Sequence, residues 1–350
     1  MNDLMRMGLV MGVMAAAVVG LDQIGRGGPP VPPGRGNANA PSEASREISR
    51  KMGMRNINVH DPSTIVKSGD EYYLYATGMP MFHSKDLFTW ERGPSPVTGP
   101  LSWTAEAIGP RGRNAGAGSY WAPDVIQVHN KWFLFLSISG FGVNTSGIGV
   151  MTNTTLNPND PAYKWQDGGL VVKSVTADDY NAIDPAAFLD DDGKLWMAFG
   201  SFWSGIKLIE LNPETGRRIA PDSPMYSLAH WDSIEGCYIY KHDGKYYLFV
   251  SMGMCCRGAG STYHMRVGRS DKVTGPYLDK EGKDMLLGGG TLFMESHIGP
   301  LIGPGHAGIV KKDGKEYLSF HVESNTAGGT LGVRPISWDK EGWPVAEDAD

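Results

Sequence analysis

The sequence predicts an all-β protein, a five-bladed β-propeller. Tyr, Trp, Phe and Val cluster in short runs, whereas apolar residues at helical spacing are nearly absent. A hairpin unit made of an apolar strand, a tight turn and an aromatic strand recurs five times along the chain. A repeated all-β unit of this size is typical of propeller blades.

The hairpin unit is clearest at residues 233–251. An apolar strand follows Glu235, a turn contains Asp243 and Gly244, and an aromatic strand runs from Tyr246 to Ser251. Asp-Gly between two apolar runs indicates a tight hairpin, because Gly accepts the positive φ that such a turn requires. The other copies begin near His60, Trp121, Ile183 and Gly305.

A polar residue stands at the head of each copy. The heads are Asp61, Asp124, Asp184, Glu235 and His306. They recur at intervals of roughly 50 to 70 residues, which indicates a repeat architecture. Because the innermost strands of a propeller begin near its central axis, we expect the five heads to converge there.

Composition sets limits on size and partners. The chain has 350 residues, a formal net charge of −6, 47 Gly and 23 Pro, which suits a fold with many tight turns. The mildly acidic balance gives no reason to expect nucleic acid or an anionic membrane surface as partner. No polar linker interrupts the repeats, so residues 51–350 are predicted to form one propeller domain, and we expect a monomer.

The N-terminal segment differs from the rest of the chain. Residues 1–23 contain the apolar run Met7–Leu21, which is short for a membrane span of about 20 residues and fits the core of a signal peptide. An incidental apolar N-terminus or an uncleaved anchor are the alternatives. Residues 24–50 are rich in Gly and Pro and are predicted to form a flexible linker. We therefore expect a secreted or periplasmic protein that does not touch the membrane after signal cleavage.

Three cysteines occur, and two of them are adjacent, Cys255 and Cys256. A vicinal disulfide is one interpretation of this pair, and two small, semi-buried thiols are the other. No C-x-x-C spacing indicates a zinc site.

Three of the heads are carboxyl groups in settings that suit different chemistry. Asp61 and Asp184 each precede Pro, which biases the Asp backbone toward an extended form. Glu235 lies between Ile234 and Gly236, an apolar approach that would raise its pKa. A protonated carboxyl facing an ionised one is what glycoside hydrolysis needs. The alternative is that each Asp-Pro caps a turn.

Taken together, these motifs resemble those of glycoside hydrolase family 43, and most closely its endo-α-1,5-L-arabinanases, which are five-bladed propellers. The likeness extends from about residue 58 to residue 343. It is carried by His60-Asp61-Pro62-Ser63, Tyr120-Trp121-Ala122-Pro123-Asp124, Asn181-Ala182-Ile183-Asp184-Pro185, Ile234-Glu235-Gly236, Cys255-Cys256-Arg257-Gly258, Ser261-Thr262-Tyr263, Val267-Gly268-Arg269-Ser270, Thr274-Gly275-Pro276-Tyr277 and Gly303-Pro304-Gly305-His306.

The resemblance implies a role for each carboxyl group. Asp61 would be the general base, Glu235 the general acid, and Asp184 the residue that orients the acid and tunes its pKa, in an inverting mechanism. His306 matches a position beside an axial metal ion, usually calcium; from the residues alone it would be a hydrogen-bonded core histidine, since a hard cation prefers oxygen ligands. Cys237 departs from the pattern, because Pro is expected there.

Sugar binding needs aromatic faces and small polar groups. Our candidates are Trp103, Trp121, Asn181, Ser201 and Phe202, with core packing as the alternative for the two tryptophans. The predicted substrate is arabinan, cleaved at internal α-1,5 bonds. An exo-acting α-L-arabinofuranosidase or β-xylosidase of the same fold, or a non-catalytic carbohydrate-binding propeller, are the competing interpretations.

Overall fold

Five antiparallel sheets form the five blades of a β-propeller, which confirms the predicted fold. The computed structural model describes residues 47, 49–109, 120–323 and 329–349. The predicted signal peptide lies outside this part of the chain, as does nearly all of the predicted linker.

Each of the first four blades is a meander of four consecutive strands. Blade 1 contains β2 (Val66–Ser68), β3 (Glu71–Tyr75), β4 (Met81–Ser84) and β5 (Glu91–Gly93), and blade 2 contains β6 (Trp121–Val128), β7 (Lys131–Ile138), β8 (Ser146–Asn153) and β9 (Gln166–Ser174). Blade 3 contains β10 (Ala186–Leu189), β11 (Leu195–Phe199), β12 (Ile206–Leu211) and β13 (Met225–Ala229), and blade 4 contains β14 (Ile234–His242), β15 (Lys245–Met252), β16 (His264–Ser270) and β17 (Thr291–Met294). A five-residue helix, α1 (Thr104–Ile108), precedes blade 2.

The fifth blade joins the two ends of the domain. It contains β18 (Gly305–Lys312), β19 (Lys315–Val322), β20 (Thr330–Trp338) and β21 (Pro344–Ala346), together with β1 (Met54–Asn58) from the start of the domain. β1 pairs with β20, with Asn58 opposite Thr330. Backbone hydrogen bonds therefore close the ring without a covalent link.

The predicted Asp-Gly turns have the expected backbone. Asp243 and Gly244 have φ values of 45° and 75°, and Asp313 and Gly314 have 50° and 75°. Each pair forms the two-residue loop of a hairpin, between β14 and β15 and between β18 and β19. Positive φ at both central residues matches the right-handed twist of the flanking strands.

Apolar side chains of the two inner strands supply most of the core. Phe135, Phe199, Phe249 and Phe320 in the second strands of blades 2 to 5 are fully buried, and they pack with β-branched and aromatic residues of adjacent blades. Burial of these rings is the main favourable contribution to blade-to-blade packing.

One residue with positive φ marks the start of every blade. These residues are Asp61 (48°), Ala122 (40°), Asp184 (59°), Gly236 (54°) and His306 (59°). Two of the predicted heads do not occupy this position, which corrects our expectation that all five heads are equivalent. Glu235 stands one residue before it, and Asp124 stands two residues after it. Three of the five positions are followed by Pro in the sequence, and Cys237 occupies the equivalent place in blade 4.

Candidate active site

Asp61 is held by side chains from the first and the fifth blade. Its Oδ2 atom lies 2.9 Å from His60 Nδ1 and accepts a hydrogen bond of 2.6 Å from Thr77 Oγ1. Its Oδ1 atom lies 3.5 Å from His306 Nδ1, and its backbone N–H donates to His321 Nδ1 at 3.0 Å. The carboxylate therefore has a single fixed orientation.

These neighbours keep Asp61 ionised. Burial alone would favour the protonated acid, but His60 and His306 outweigh it and hold the pKa of Asp61 well below its usual range. The effect is reciprocal: although burial disfavours the imidazolium, Asp61 raises the pKa of His60 to about 11. An ionised carboxylate is the state that a general base requires.

Glu235 lies at the second residue of β14, where it is 7% exposed. Burial, with a smaller contribution from the charge of Asp61, raises its pKa. Ser201 Oγ donates a hydrogen bond of 2.7 Å to its Oε2 atom and opposes that rise. The carboxyl group thus holds its proton at a higher pH than an exposed Glu, as a general acid must.

Gly236, the residue after Glu235, is in a crowded position. Gly236 has positive φ, and a Cβ atom there would lie 3.1 Å from Ser251 Oγ and 3.2 Å from His306 Nδ1. Gly236 therefore lets the strand that carries Glu235 approach the axis closely.

Asp184 connects the acid to the rest of the site. Its Oδ2 atom accepts a hydrogen bond of 3.1 Å from the Gly236 backbone N–H, and its own N–H donates to Ser137 Oγ at 3.1 Å. Burial first, and then the charge of Glu235, raise the pKa of Asp184. Its position beside the acid's own strand suits an orienting and pKa-tuning role.

Asp124 is near the axis but serves as a connector. Its Oδ1 atom accepts from the Thr64 N–H at 2.9 Å, and its Oδ2 atom accepts from the Ala187 N–H at 2.7 Å. Both oxygens are therefore occupied by backbone groups that lead into blades 1 and 3. Asp124 links blades and is not available for proton transfer.

Four of the predicted sugar-binding residues lie in three different environments. Ser201 and Phe202 belong to the loop after β11, and the Phe202 N–H donates to the carbonyl of Ile234, next to Glu235. Trp121 is half-buried, and its ring lies 5.0 Å from that of Phe141, which is 78% exposed. Asn181 is buried, and its Oδ1 accepts from Ser146 Oγ at 2.7 Å.

Trp103 corrects our expectation of a sugar-stacking residue. It is 3% exposed and packs in the core of blades 1 and 2 with its ring 6.0 Å from that of Tyr120. Its indole lies over Gly149, where a Cβ atom would come within 2.0 Å of the ring. The missing side chain of Gly149 makes the space that buries Trp103, so core packing is the correct interpretation.

Sequence reasoning missed His60, Thr77 and His321 as site residues. In four blades, a side chain at the end of the second strand, or just beyond it, accepts the N–H of the positive-φ residue of the next blade. These acceptors are Thr77, Ser137, Ser251 and His321, and Ser201 of blade 3 has the equivalent place but donates to Glu235. The recurring Ser or Thr after an aromatic strand was the available signal.

His306 has the features of a ligand to an axial ion. It is 5% exposed, and among the described residues its Nδ1 atom has no hydrogen-bond partner. His306 also lines an axial cavity of about 10 Å³, together with Asp124, Pro62 and Pro185, which is room for about one water-sized species. Its Nδ1 atom makes no hydrogen bond within the described part of the chain and lies 3.5 Å from Asp61 Oδ1, so it is the donor atom that His306 offers to an axial ion.

A carboxylate held ionised and two carboxyl groups with raised pKa values share the axis of a five-bladed propeller, an arrangement that suits acid/base hydrolysis. The chain belongs to the glycosyl hydrolases family 43, whose sequence model matches residues 55–344. The protein is therefore a glycosidase.

Two curated relatives and one solved structure are similar along most of the chain. An extracellular exo-α-(1→5)-L-arabinofuranosidase of Cellvibrio japonicus is 40% identical over 86% of this chain and 90% of its own. An extracellular endo-α-(1→5)-L-arabinanase of Bacillus subtilis is 38% identical over 87% of this chain and 91% of its own. The Cellvibrio cellulosa α-L-arabinanase complexed with arabinohexaose has a TM-score of 0.77 and 40% identity, over 84% of this chain and 96% of that one.

Membrane insertion by a helix has no candidate in the described ranges. No helix there combines the length and the apolar character that crossing a bilayer requires.

Proposed function

We propose that this glycosidase hydrolyses internal α-1,5-L-arabinofuranosyl bonds of arabinan with inversion. The proposal depends on one observation. The surroundings of Asp61 stabilise its ionised form, whereas those of Glu235 favour its protonated form. Relatives named for α-(1→5)-arabinan chemistry, and one solved with arabinohexaose, support the choice of substrate.

Each carboxyl group has one step in the proposed mechanism. Asp61, oriented by His60 and Thr77, takes a proton from water as that water attacks the anomeric carbon. Glu235 gives its proton to the departing glycosidic oxygen. Asp184 holds the Gly236 backbone and keeps the acid in place. The water enters and the sugar leaves on opposite faces, so the configuration inverts.

Exposed apolar side chains on loops of several blades support cleavage within a chain. Phe141 follows β7 in blade 2, Trp203 follows β11 in blade 3, and Trp231 precedes β14 of blade 4; they are 78%, 39% and 43% exposed. Aromatic side chains on the loops of three blades suit several sugar units at once, because apolar faces of pyranose and furanose rings pack on aromatic side chains. The alternative is an exo-acting enzyme of the same fold, as one of the two relatives is named.

A calcium ion on the axis is part of the proposal. His306 Nδ1 would hold it, with water as the other ligands. When bound, the ion would add positive charge near the carboxylates and favour their ionised forms.

We also propose that the protein is secreted and acts as a monomer. The predicted signal peptide and the extracellular relatives support secretion.

The product profile on debranched arabinan tests the proposed function. Internal cleavage would give a ladder of oligosaccharides and a rapid fall in viscosity, whereas exo action would release one short product from the start. Xylan serves as the control polysaccharide and should remain intact. Release of xylose, or no hydrolysis of either polysaccharide, would contradict the proposal. The anomeric form of the first product, followed by NMR, tests inversion.

A further inference from the structure

The loop between β15 and β16 places two thiols beside His60. The Sγ atoms of Cys255 and Cys256 and a ring nitrogen of His60 lie within 4.8 Å of one another. All three cysteines of the chain carry free thiols in this structure. Cys256 is exposed and Cys255 is half-buried, so the cluster is open to solvent. The proposed mechanism uses neither thiol.

We propose that Cys255, Cys256 and His60 form a binding site for zinc, and that zinc bound there inhibits the enzyme. The distance from Cys256 Sγ to His60 Nε2 is 3.7 Å. Tetrahedral zinc with bonds of about 2.3 Å to sulfur and about 2.0–2.1 Å to nitrogen separates such a pair by about 3.6 Å. The side chains of Cys256 and His60 therefore already have the spacing of one edge of a zinc tetrahedron.

The surroundings of His60 match those of a zinc-bound histidine. Ligating histidines usually give their second ring nitrogen to a carboxylate, which fixes the ring. His60 Nδ1 lies 2.9 Å from Asp61 Oδ2, and this contact turns Nε2 toward Cys256. His321 stacks on the same ring at a centroid distance of 4.3 Å. The imidazole is therefore preorganised by groups on both sides.

The thiol loop is also held rigidly. Glu323 Oε1 accepts from the Cys256 N–H at 2.8 Å and from Ser261 Oγ at 2.9 Å, and its Oε2 accepts from the Arg257 N–H at 3.1 Å. The hydrogen bond between the two thiols lowers the pKa of Cys256 to about 6 and raises that of Cys255, so zinc would have to displace the proton of Cys255 on binding. Two thiolates and one imidazole leave a fourth position open to water.

Zinc at this site would act on the general base through His60. Binding requires deprotonated ligands, so protons leave the two thiols and His60 Nε2. Zinc and its two thiolates carry no net charge together, so Asp61 would face a neutral zinc-bound imidazole in place of the imidazolium that keeps it ionised. Thiolate ligands exclude calcium, which prefers oxygen, so the site is distinct from the proposed axial ion.

Zinc binding is measured directly on the full-length protein, reduced with a phosphine and kept in excess calcium. Calorimetry should give one zinc ion per chain, and cobalt in its place should show a thiolate charge-transfer band. C256S and H60Q should each weaken binding by at least about tenfold, and D61N by about 10–100-fold because His60 Nδ1 loses its carboxylate partner. H264A is the matched control, because His264 is on the adjoining strand and contacts Thr262 and Arg266 instead.

Activity provides a second readout. Zinc should inhibit the parent, and a nitrogen-donor chelator that leaves calcium bound should restore the rate. C256S should retain a larger fraction of its own rate at the same zinc concentration. Absence of stoichiometric binding, parent-like zinc affinity in C256S, or a Cys255–Cys256 disulfide that blocks binding in the purified protein would overturn the proposal. Zinc binding does not depend on arabinan being the substrate, so this test can fail separately from the proposed function.

Discussion

The Nδ1 atom of His321 accepts a hydrogen bond of 3.0 Å from the backbone N–H of Asp61, a residue 260 positions earlier in the chain. In blades 1, 2 and 4, a hydroxyl of Thr77, Ser137 or Ser251 accepts the corresponding N–H. Blade 5 thus departs from the repeat where it meets Asp61. Since Nδ1 accepts, the ring is neutral, and burial lowers the pKa of His321 well below its usual value.

We expect H321A to destabilise the protein more than H321S. The serine hydroxyl can accept the Asp61 N–H as it does in other blades, whereas alanine leaves a buried donor unsatisfied, at about 1–3 kcal/mol. Both variants lose the stacking with His60 and Tyr263. Chemical denaturation measures the difference, and equal unfolding free energies would contradict it.

The same variants test a pH effect. The unfolded state binds a proton at His321 below about pH 6.5, and the folded state does not, so stability falls as the pH decreases below that value. H321S should therefore lose less of its unfolding free energy than the parent as the pH decreases. The measurement is the unfolding free energy at a series of pH values from neutral downward, and an unchanged slope would argue against a neutral His321.

Asp61→Asn should leave the fold intact and lower kcat by about 10²–10⁴-fold, because the amide cannot accept a proton from water. D222N is the matched control, since Asp222 is exposed, and it should behave as the parent. Initial rates on debranched arabinan and circular dichroism spectra provide the measurements. A rate near that of the parent would make Asp61 a structural residue.

Glu235→Gln should reduce hydrolysis of arabinan strongly and hydrolysis of an aryl arabinoside much less. An acidic phenol departs without a proton from the enzyme, whereas a sugar alkoxide does not. The ratio of kcat/KM for the two substrates in variant and parent is the relevant quantity. Equal losses on both would show that Glu235 binds or supports the site and does not donate the proton.

Ser201→Ala should shift the alkaline limb of the pH–rate profile upward. The Ser201 hydrogen bond lowers the pKa of Glu235, so its loss lets the acid hold its proton to higher pH. Ser204 in the same loop has a hydroxyl without a partner among the described residues. S204A is therefore the control and should keep the parent profile. A downward shift in S201A would contradict the assignment of Glu235 as the acid.

Removal of the axial ion should resemble the loss of His306. A chelator should lower activity, raise the acidic limb of the pH–rate profile because Asp61 and Asp184 lose a favourable positive charge, and lower the melting temperature. H306A should show the same changes, with little further effect of the chelator. If the chelator leaves the parent unchanged while H306A is unstable, His306 is a core residue, and metal analysis of undialysed protein would show no stoichiometric ion.

The five-bladed fold could be predicted because the pattern that indicates each blade lies within a short stretch of the sequence. Each blade repeats an apolar strand, a turn such as Asp243-Gly244 and an aromatic strand within a short stretch of chain. The carboxyl residues Asp61 and Asp184 were visible for the same reason, since each stands before Pro at the head of a repeat. Period and turn chemistry are properties of neighbouring residues, and a sequence displays them directly.

Contacts between distant segments were decided only by the tertiary structure. Ring closure pairs β1 with β20, His321 reaches Asp61, and Ser201 reaches Glu235, although no local pattern connects these residues. The burial of Trp103 also depends on a residue far along the chain, because the absence of a side chain at Gly149 leaves the space that its ring occupies. The sequence alone determined which carboxyl groups are available; packing of the blades determined which is ionised and which keeps its proton, because desolvation and neighbouring charges arise only when the blades meet at the axis.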